Sequence, residues 1–167
     1  MESAQETSRL LVVWHSRTGA SAAMAQAAAQ AAQEEIAVDC VEAADVGLEL
    51  VLNAAAYLFV CPENLGSMSG AMKEFFDRLY YPALERIEGR PYATIIAAGS
   101  DGSGAQRQID RIVTGWRLRR VIDEFVAKFD AQTPKKIMAS KHVPEAVLAH
   151  CREIGRSLGA GTALGVF

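Results

Sequence analysis

Short apolar runs alternate along this chain with stretches whose apolar positions recur at helical spacing. Residues 10–14, Leu-Leu-Val-Val-Trp, are an uninterrupted run of strand formers. The alanine- and glutamine-rich stretch 20–33 then favours helix. Residues 36–41 read as a second strand, and Asp45 as the N-cap of a short helix to Leu52. Residues 55–60 are apolar throughout, as expected for a strand covered on both faces. Residues 61–69 break the pattern with Pro62, Asn64, Gly66 and Ser69 and read as a loop. Ser69 is placed to cap a helix to about Tyr80, with Met72, Phe76 and Leu79 on one face, Phe75 beside them and Pro82 as its breaker. Residues 92–98 give a fourth strand. A permissive loop at 99–104 leads to a helix over 105–117, where Ile109, Ile112, Val113 and Trp116 share helical spacing. The alternation places a last strand within 121–129, where Asp123, Glu124 and Lys128 suit a sheet edge. Pro134 and Lys135-Lys136 mark a surface connection. Pro144 opens a final helix to about Leu158, with Val147, Cys151, Ile154 and Leu158 facing inward.

Five strand–helix alternations predict an α/β fold, a parallel sheet with helices on both faces. No internal repeat, low-complexity linker or boundary divides the 167 residues, so a single domain is expected, with residues 1–8 as a disordered leader. In a five-stranded sheet of order 2-1-3-4-5, the loops after the first, third and fourth strands share one rim, and ligands sit beyond the carboxyl ends of the strands.

The first of those loops is Ser16, Arg17, Thr18, Gly19, Ala20 and Ser21. A hydroxyl-rich segment with a glycine, leaving a strand and opening a helix, offers unpaired N–H groups and a positive dipole end to an anion. The chain has neither a Gly-Lys-Ser/Thr ending nor G-x-G-x-x-G after the first strand, which excludes the triphosphate P-loop and the usual dinucleotide fingerprint. One terminal phosphate suits the loop. An ordinary helix cap by Thr18 or Ser21 is the alternative.

A formal charge of −3 with 22% charged residues gives no electrostatic case for nucleic acid or an anionic membrane. No apolar run reaches membrane-spanning length, and the polar first residues are not a secretory signal. Three widely spaced cysteines without C-x-x-C argue against a disulfide framework or a zinc site and fit the cytoplasm. His15, His142 and His150 lack metal-ligand spacing.

The three loops together resemble those of the flavodoxin-like FMN-binding proteins, within them the NAD(P)H-dependent FMN reductase and quinone reductase branch. Residues 15–21 are similar to the superfamily's phosphate loop. Residues 62–73, Pro-Glu-Asn-Leu-Gly-Ser-Met-Ser-Gly-Ala-Met-Lys, resemble the branch's pattern of Pro, a turn, Ser-Gly and Met-Lys, and run on into Glu-Phe-Phe-Asp-Arg. Residues 99–104 are similar to the loop that reaches the flavin's pyrimidine side. The resemblance implies a flavodoxin-like three-layer sandwich binding FMN. Its phosphate would lie on Ser16, Arg17, Thr18, Gly19, Ala20 and Ser21. Its ring would lie against Pro62, Glu63, Asn64, Leu65, Gly66 and Ser67, with Gly99, Ser100, Asp101 and Gly102 beyond. Two departures stand out. Ser21 replaces the usual Thr, and no Trp or Tyr lies in the ring-flanking loops, so Leu65 or Met68 is expected to cover the flavin face.

The activity implied is an oxidoreductase that passes reducing equivalents from NAD(P)H through FMN to a quinone, a flavin or a similar small acceptor. Flavin carries that chemistry, so no catalytic side chain and no metal is demanded. Glu63 and Asp101 read as loop-structuring residues. A flavodoxin-type electron carrier without direct NAD(P)H oxidation, or a non-catalytic FMN-binding module, are the alternatives. A receiver domain needs an aspartate where Val60-Cys61 ends the third strand, and a low-molecular-weight phosphatase needs a Cys-x5-Arg loop. Cys61, Trp14 and Trp116 read as packing groups, and Arg117, Arg119 and Arg120 as a solvated helix end. The small apolar tail, residues 158–167, is expected to fold back on the sheet edge or to seal a homo-oligomer.

Overall fold

A computed structural model describes residues 7–167. Most of the expected leader therefore lies outside the described residues. Thr7 and Ser8 precede the first strand without regular structure.

Strand β1 is Arg9–Trp14, helix α1 Ala20–Ala32, β2 Ala37–Glu42 and α2 Leu48–Asn53. Then come β3 Ala56–Asn64, β4 Ser67–Met68, α3 Gly70–Ala83, β5 Pro91–Ala98 and α4 Ser103–Gly115. The chain ends with β6 Arg119–Arg120, β7 Phe125–Lys128, α5 Pro134–Met138 and α6 Glu145–Leu164.

Among the described residues the sheet has seven strands, with the order β2-β1-β3-β5-β6; β7 also pairs with β5, and β4 with β3. All pairings but β3–β4 are parallel. The last parallel strand of the expected five comes in two pieces. β6 pairs with Pro91 and Tyr92 at the start of β5, and β7 with Ile95 through Ala98 at its end. Asp123 and Glu124 lie between the pieces and are exposed, so two carboxylates leave the ladder for water. With the two pieces counted as one edge strand, the parallel order is the flavodoxin-like 2-1-3-4-5.

Two cores sandwich the sheet. On one face α2, α3 and α4 bury Phe59, Phe75, Phe76 and Trp116 against Tyr57 and Tyr92. The Trp116 indole N–H donates to the Tyr80 carbonyl at 2.9 Å. On the other face α1 and α6 cover Leu10, Val12, Leu58, Val60 and Ile95, with Trp14 partly buried there. β1, β3 and β5 are thus covered on both sides, which is why they read as apolar runs.

Four details differ from the sequence reading. Asp45 does not cap α2: it ends a 3-10 turn at Ala43–Asp45, and Gly47 is the N-cap residue. Pro82 lies inside α3, which continues to Ala83 before Leu84 N–H closes on the Tyr81 carbonyl at 3.3 Å. A proline this near a helix end forfeits little of the ladder. Cys61 to Ser69 is not a loop, since β3 runs on to Asn64 and turns into β4. The tail is not a strap on the sheet edge, because α6 continues to Leu164. Its buried glycines serve helix packing: a Cβ on Gly155 would collide with the Ala28 carbonyl of α1. Phe167 then folds back over Gly161. No helix among the described residues is long and apolar enough to cross a membrane.

Candidate functional site

β1, β3, β5 and β7 run the same way, so their carboxyl ends meet at one rim, with Trp14 level with Val60 and Ala98 level with Lys128. A cavity of about 300 Å³ opens there. Of the sequence-predicted residues, Ser16, Arg17, Thr18, Ala20, Ser21, Pro62, Glu63, Asn64, Leu65, Gly66, Gly99 and Ser100 line it. Gly19, Ser67, Asp101 and Gly102 do not; they shape the loops behind it.

The first loop leaves β1 at His15, whose N–H still donates to the Val60 carbonyl at 3.0 Å. Its turn is closed by Gly19 N–H donating to Ser16 Oγ at 3.1 Å. Gly19 is the N-cap residue of α1 at φ +99° and has no side-chain cap. Neither Thr18 nor Ser21 caps the helix, so the hydroxyls remain with the loop. Ser21 is 1% exposed, and its Oγ is the one buried side-chain polar atom among the described residues without a hydrogen-bond partner. An unmade bond on a buried hydroxyl costs about 1–3 kcal/mol. His15 Nδ1 lies 2.9 Å from Ser69 Oγ. Burial holds the imidazole's pKa below its ordinary value; Glu42 opposes this and Arg17 reinforces it.

The second segment is a two-residue hairpin rather than a loop. Glu63 faces Met68 and Asn64 faces Ser67. Leu65 and Gly66 form the turn at φ +54° and +72°. Both signs are positive, as in the tight turns that suit the strand twist. Leu65, strained for a side-chain residue, stands wholly exposed at the tip. Met68, by contrast, is buried in the core and cannot cover a ligand.

The hairpin is fastened to α4. The Glu63 carboxylate accepts from Gly102 N–H at 2.9 Å and Ala105 N–H at 3.1 Å, so it holds the N-terminal turn of that helix. Gln108 Oε1 accepts from Met68 N–H at 2.8 Å, and its amide donates to Ser67 Oγ at 3.1 Å. Asp101 is spent on Ser103, accepting from its N–H at 3.3 Å and its hydroxyl at 2.8 Å. Those bonds hold its carboxyl below the usual carboxylate range. Gly102 starts α4 at φ +86°. Helices α1 and α4 thus both begin on a glycine in a conformation other residues resist.

Cys61 is buried beneath the cavity, and burial pushes its thiol up to about 12, against the pull of Ser69. It is a packing group, not a thiolate. Arg119 and Arg120 sit far from the cavity, because β6 pairs with the opposite end of β5. Arg120 there bonds Asp110 and lies over the Tyr92 ring. These arginines are therefore not simply a solvated helix end.

Six lining residues escaped the sequence reading: Ala97, Ala98, Phe129, Ala131, Ile137 and Lys141. The last four belong to the connection after β7. The signal for it was Thr133-Pro134, a cap and first-turn pair that starts α5, ahead of an isolated apolar pair, Ile137-Met138.

A family model described as NADPH-dependent FMN reductase matches residues 47–131. No curated protein matches the chain. Among solved structures, a flavodoxin from the domain Archaea is 20% identical, with a TM-score of 0.72 over 92% of this chain and 98% of that one. A flavodoxin, WrbA-like protein from Agrobacterium tumefaciens is 16% identical, with a TM-score of 0.73 over 95% and 99%. The flavodiiron protein from Giardia intestinalis is 20% identical, with a TM-score of 0.74 over 96% of this chain but 37% of that one.

Proposed function

The chain belongs to the NADPH-dependent FMN reductase family, and from that premise we propose that the rim cavity holds FMN and that the protein passes reducing equivalents from NAD(P)H to a small acceptor such as a quinone or a flavin. The observation that carries the reading is the partnerless hydroxyl of Ser21. Ser21 lines the cavity on the first turn of α1, and its buried hydroxyl without a partner is a donor that a phosphate oxygen would complete.

The residues present fit that group. Ser16, Thr18 and Ser21 would supply hydroxyls, and the start of α1 would supply backbone N–H groups to the phosphate. Arg17, exposed at the rim, would screen its charge. The ring would lie by the hairpin tip and Gly99. FMN, when bound, supplies the hydride chemistry at its ring. The chain's own part is to orient the ring, to exclude water from one side of it and to leave the mouth open for a donor. Neither carboxylate beside the cavity is placed for proton transfer. Glu63 is bonded to two backbone amides and Asp101 to Ser103.

The test is a flavin titration followed by anaerobic addition of NADPH or NADH. The purified protein is expected to bind FMN, seen in visible absorption, and the bound flavin to bleach rapidly with one of the nicotinamides. Ser21→Ala should weaken FMN binding by about 1.5–3 kcal/mol, the value of a hydrogen bond to a charged group. Riboflavin, which lacks the phosphate, should bind both proteins alike. FMN that binds but is reduced by neither nicotinamide would favour an electron carrier. Unchanged FMN affinity in Ser21→Ala would move the phosphate elsewhere.

A further inference from the structure

The connection from β7 to α6 must travel from the edge of the sheet, past β5 and β3, to the face that α1 and α6 cover. It crosses the rim on the way and is tied down at both sides of the cavity. Ala131 N–H donates to the Gly99 carbonyl at 3.1 Å, and Lys141 N–H donates to the Thr18 carbonyl at 2.9 Å. The approach at Gly99 is so close that a Cβ there would collide with the Ala131 carbonyl.

Between those ties lies α5, a five-residue helix that buries none of its own residues. Polar clips alone hold it. Thr133 Oγ1 accepts from Lys136 N–H at 3.3 Å. The Lys141 ammonium donates to the carbonyls of Lys136, Ile137 and Ala139 at 2.8, 3.0 and 2.6 Å. The crossover thus contributes little to the core, yet it brings Ile137 to the cavity wall while the residue stays 45% exposed. The hairpin carrying Leu65 belongs to the other side, since Glu63 and Gln108 fasten it to α4. Two exposed aliphatic side chains, Leu65 from the hairpin and Ile137 from the crossover, therefore line the same cavity. Neither Trp nor Tyr lines it.

We infer that the crossover from Phe129 to Lys141 is the second wall of the flavin slot, with Ile137 against one face of the ring and Leu65 against the other. The inference rests on the reading of the cavity as the FMN site. An aliphatic clamp explains why a hairpin tip and a coreless helix both expose large apolar groups, since a flat ring between them would remove both from water. Phe129, at the start of the crossover, is the one aromatic residue among the cavity's described lining.

Three variants test it: Ile137→Ala, Ile137→Trp and, as control, Met138→Ala, whose side chain is exposed but does not line the cavity. Each is titrated with FMN and with riboflavin, by absorption and by flavin fluorescence, and a thermal melt checks folding. Ile137→Ala should weaken both flavins by the same factor, about tenfold, because the lost contact is to the ring. Ile137→Trp should quench the bound flavin's emission well below the wild-type level, because a stacked indole donates an electron to the excited ring. Met138→Ala should change neither affinity. The clamp is overturned if Ile137→Ala leaves both affinities within twofold, if it weakens FMN but not riboflavin, or if the tryptophan leaves the emission unchanged. Wild-type protein that binds FMN while the Ile137 variants behave like it overturns the clamp alone. Wild-type protein that takes up neither flavin overturns the site reading as well.

Discussion

Ser21 sits where folding and binding pull in opposite directions. Its hydroxyl is buried and unbonded, so the protein without ligand carries the desolvation cost of that group. Removing the hydroxyl removes the cost. Ser21→Ala is therefore expected to raise the stability of the ligand-free protein by about 1 kcal/mol, read as a higher urea midpoint with an unchanged slope. The same substitution is expected to weaken FMN. Opposite signs distinguish a ligand-directed serine from a structural one, which would lose stability on truncation and leave flavin binding alone. A fall in ligand-free stability would point to a partner for the hydroxyl within the fold. His15 is a quieter neighbour. Its hydrogen bond to Ser69 ties the start of the loop after β1 to the N-cap of α3.

Among the elements, α4 and the hairpin depend on each other through one carboxylate. Glu63 accepts from two amides at the start of α4, where a negative charge is favoured by the helix dipole. Glu63→Gln keeps the shape but loses the charge and one acceptor oxygen, so a loss of about 1–2 kcal/mol is expected in chemical denaturation. Faster amide exchange at Gly102 and Ala105 would show that the loss is local to that cap. Unchanged exchange there would mean that the two bonds are replaceable. Strands β1, β3 and β5 and the helices α1, α3, α4 and α6 were legible because each has a covered face, and a covered face writes itself as a run or a period. The loop after β1 was legible from its hydroxyls, its glycine and its place between strand and helix, and it does line the cavity. The hairpin was not, because Leu65 at positive φ gives no turn signal of the Asn-Gly kind, and its partner strand is two residues long. Helix α5 was missed for a related reason. Clips by Thr133 and Lys141 hold it, not an apolar face, so periodicity had nothing to report. The edge strand was only half legible. Asp123 and Glu124 were rightly read as edge residues, but charge composition does not say where a ladder is interrupted.

At the scale of the molecule, the cavity belongs to no single element. Its walls come from the ends of β1, β3 and β5 and from the crossover after β7, elements spread from Ser16 to Lys141 along the chain. These loops come together only when the parallel sheet is formed, so a ligand in the cavity binds the folded state and not the unfolded chain. Mass action then turns affinity into stability. At a hundredfold excess of FMN over its dissociation constant the gain is about 2.7 kcal/mol. For a chain of this size each kcal/mol moves the melting temperature by roughly 2–4 °C, so a rise of roughly 5–10 °C is expected. The rise should grow with the logarithm of FMN concentration and should be smaller for riboflavin at equal concentration, because the phosphate loop then gains no partner. A protein whose visible spectrum reports full occupancy while its melt stays fixed would show that flavin holds to something other than this assembled rim. A shift equal for FMN and riboflavin would place the ring in the cavity but leave the hydroxyl loop without its anion.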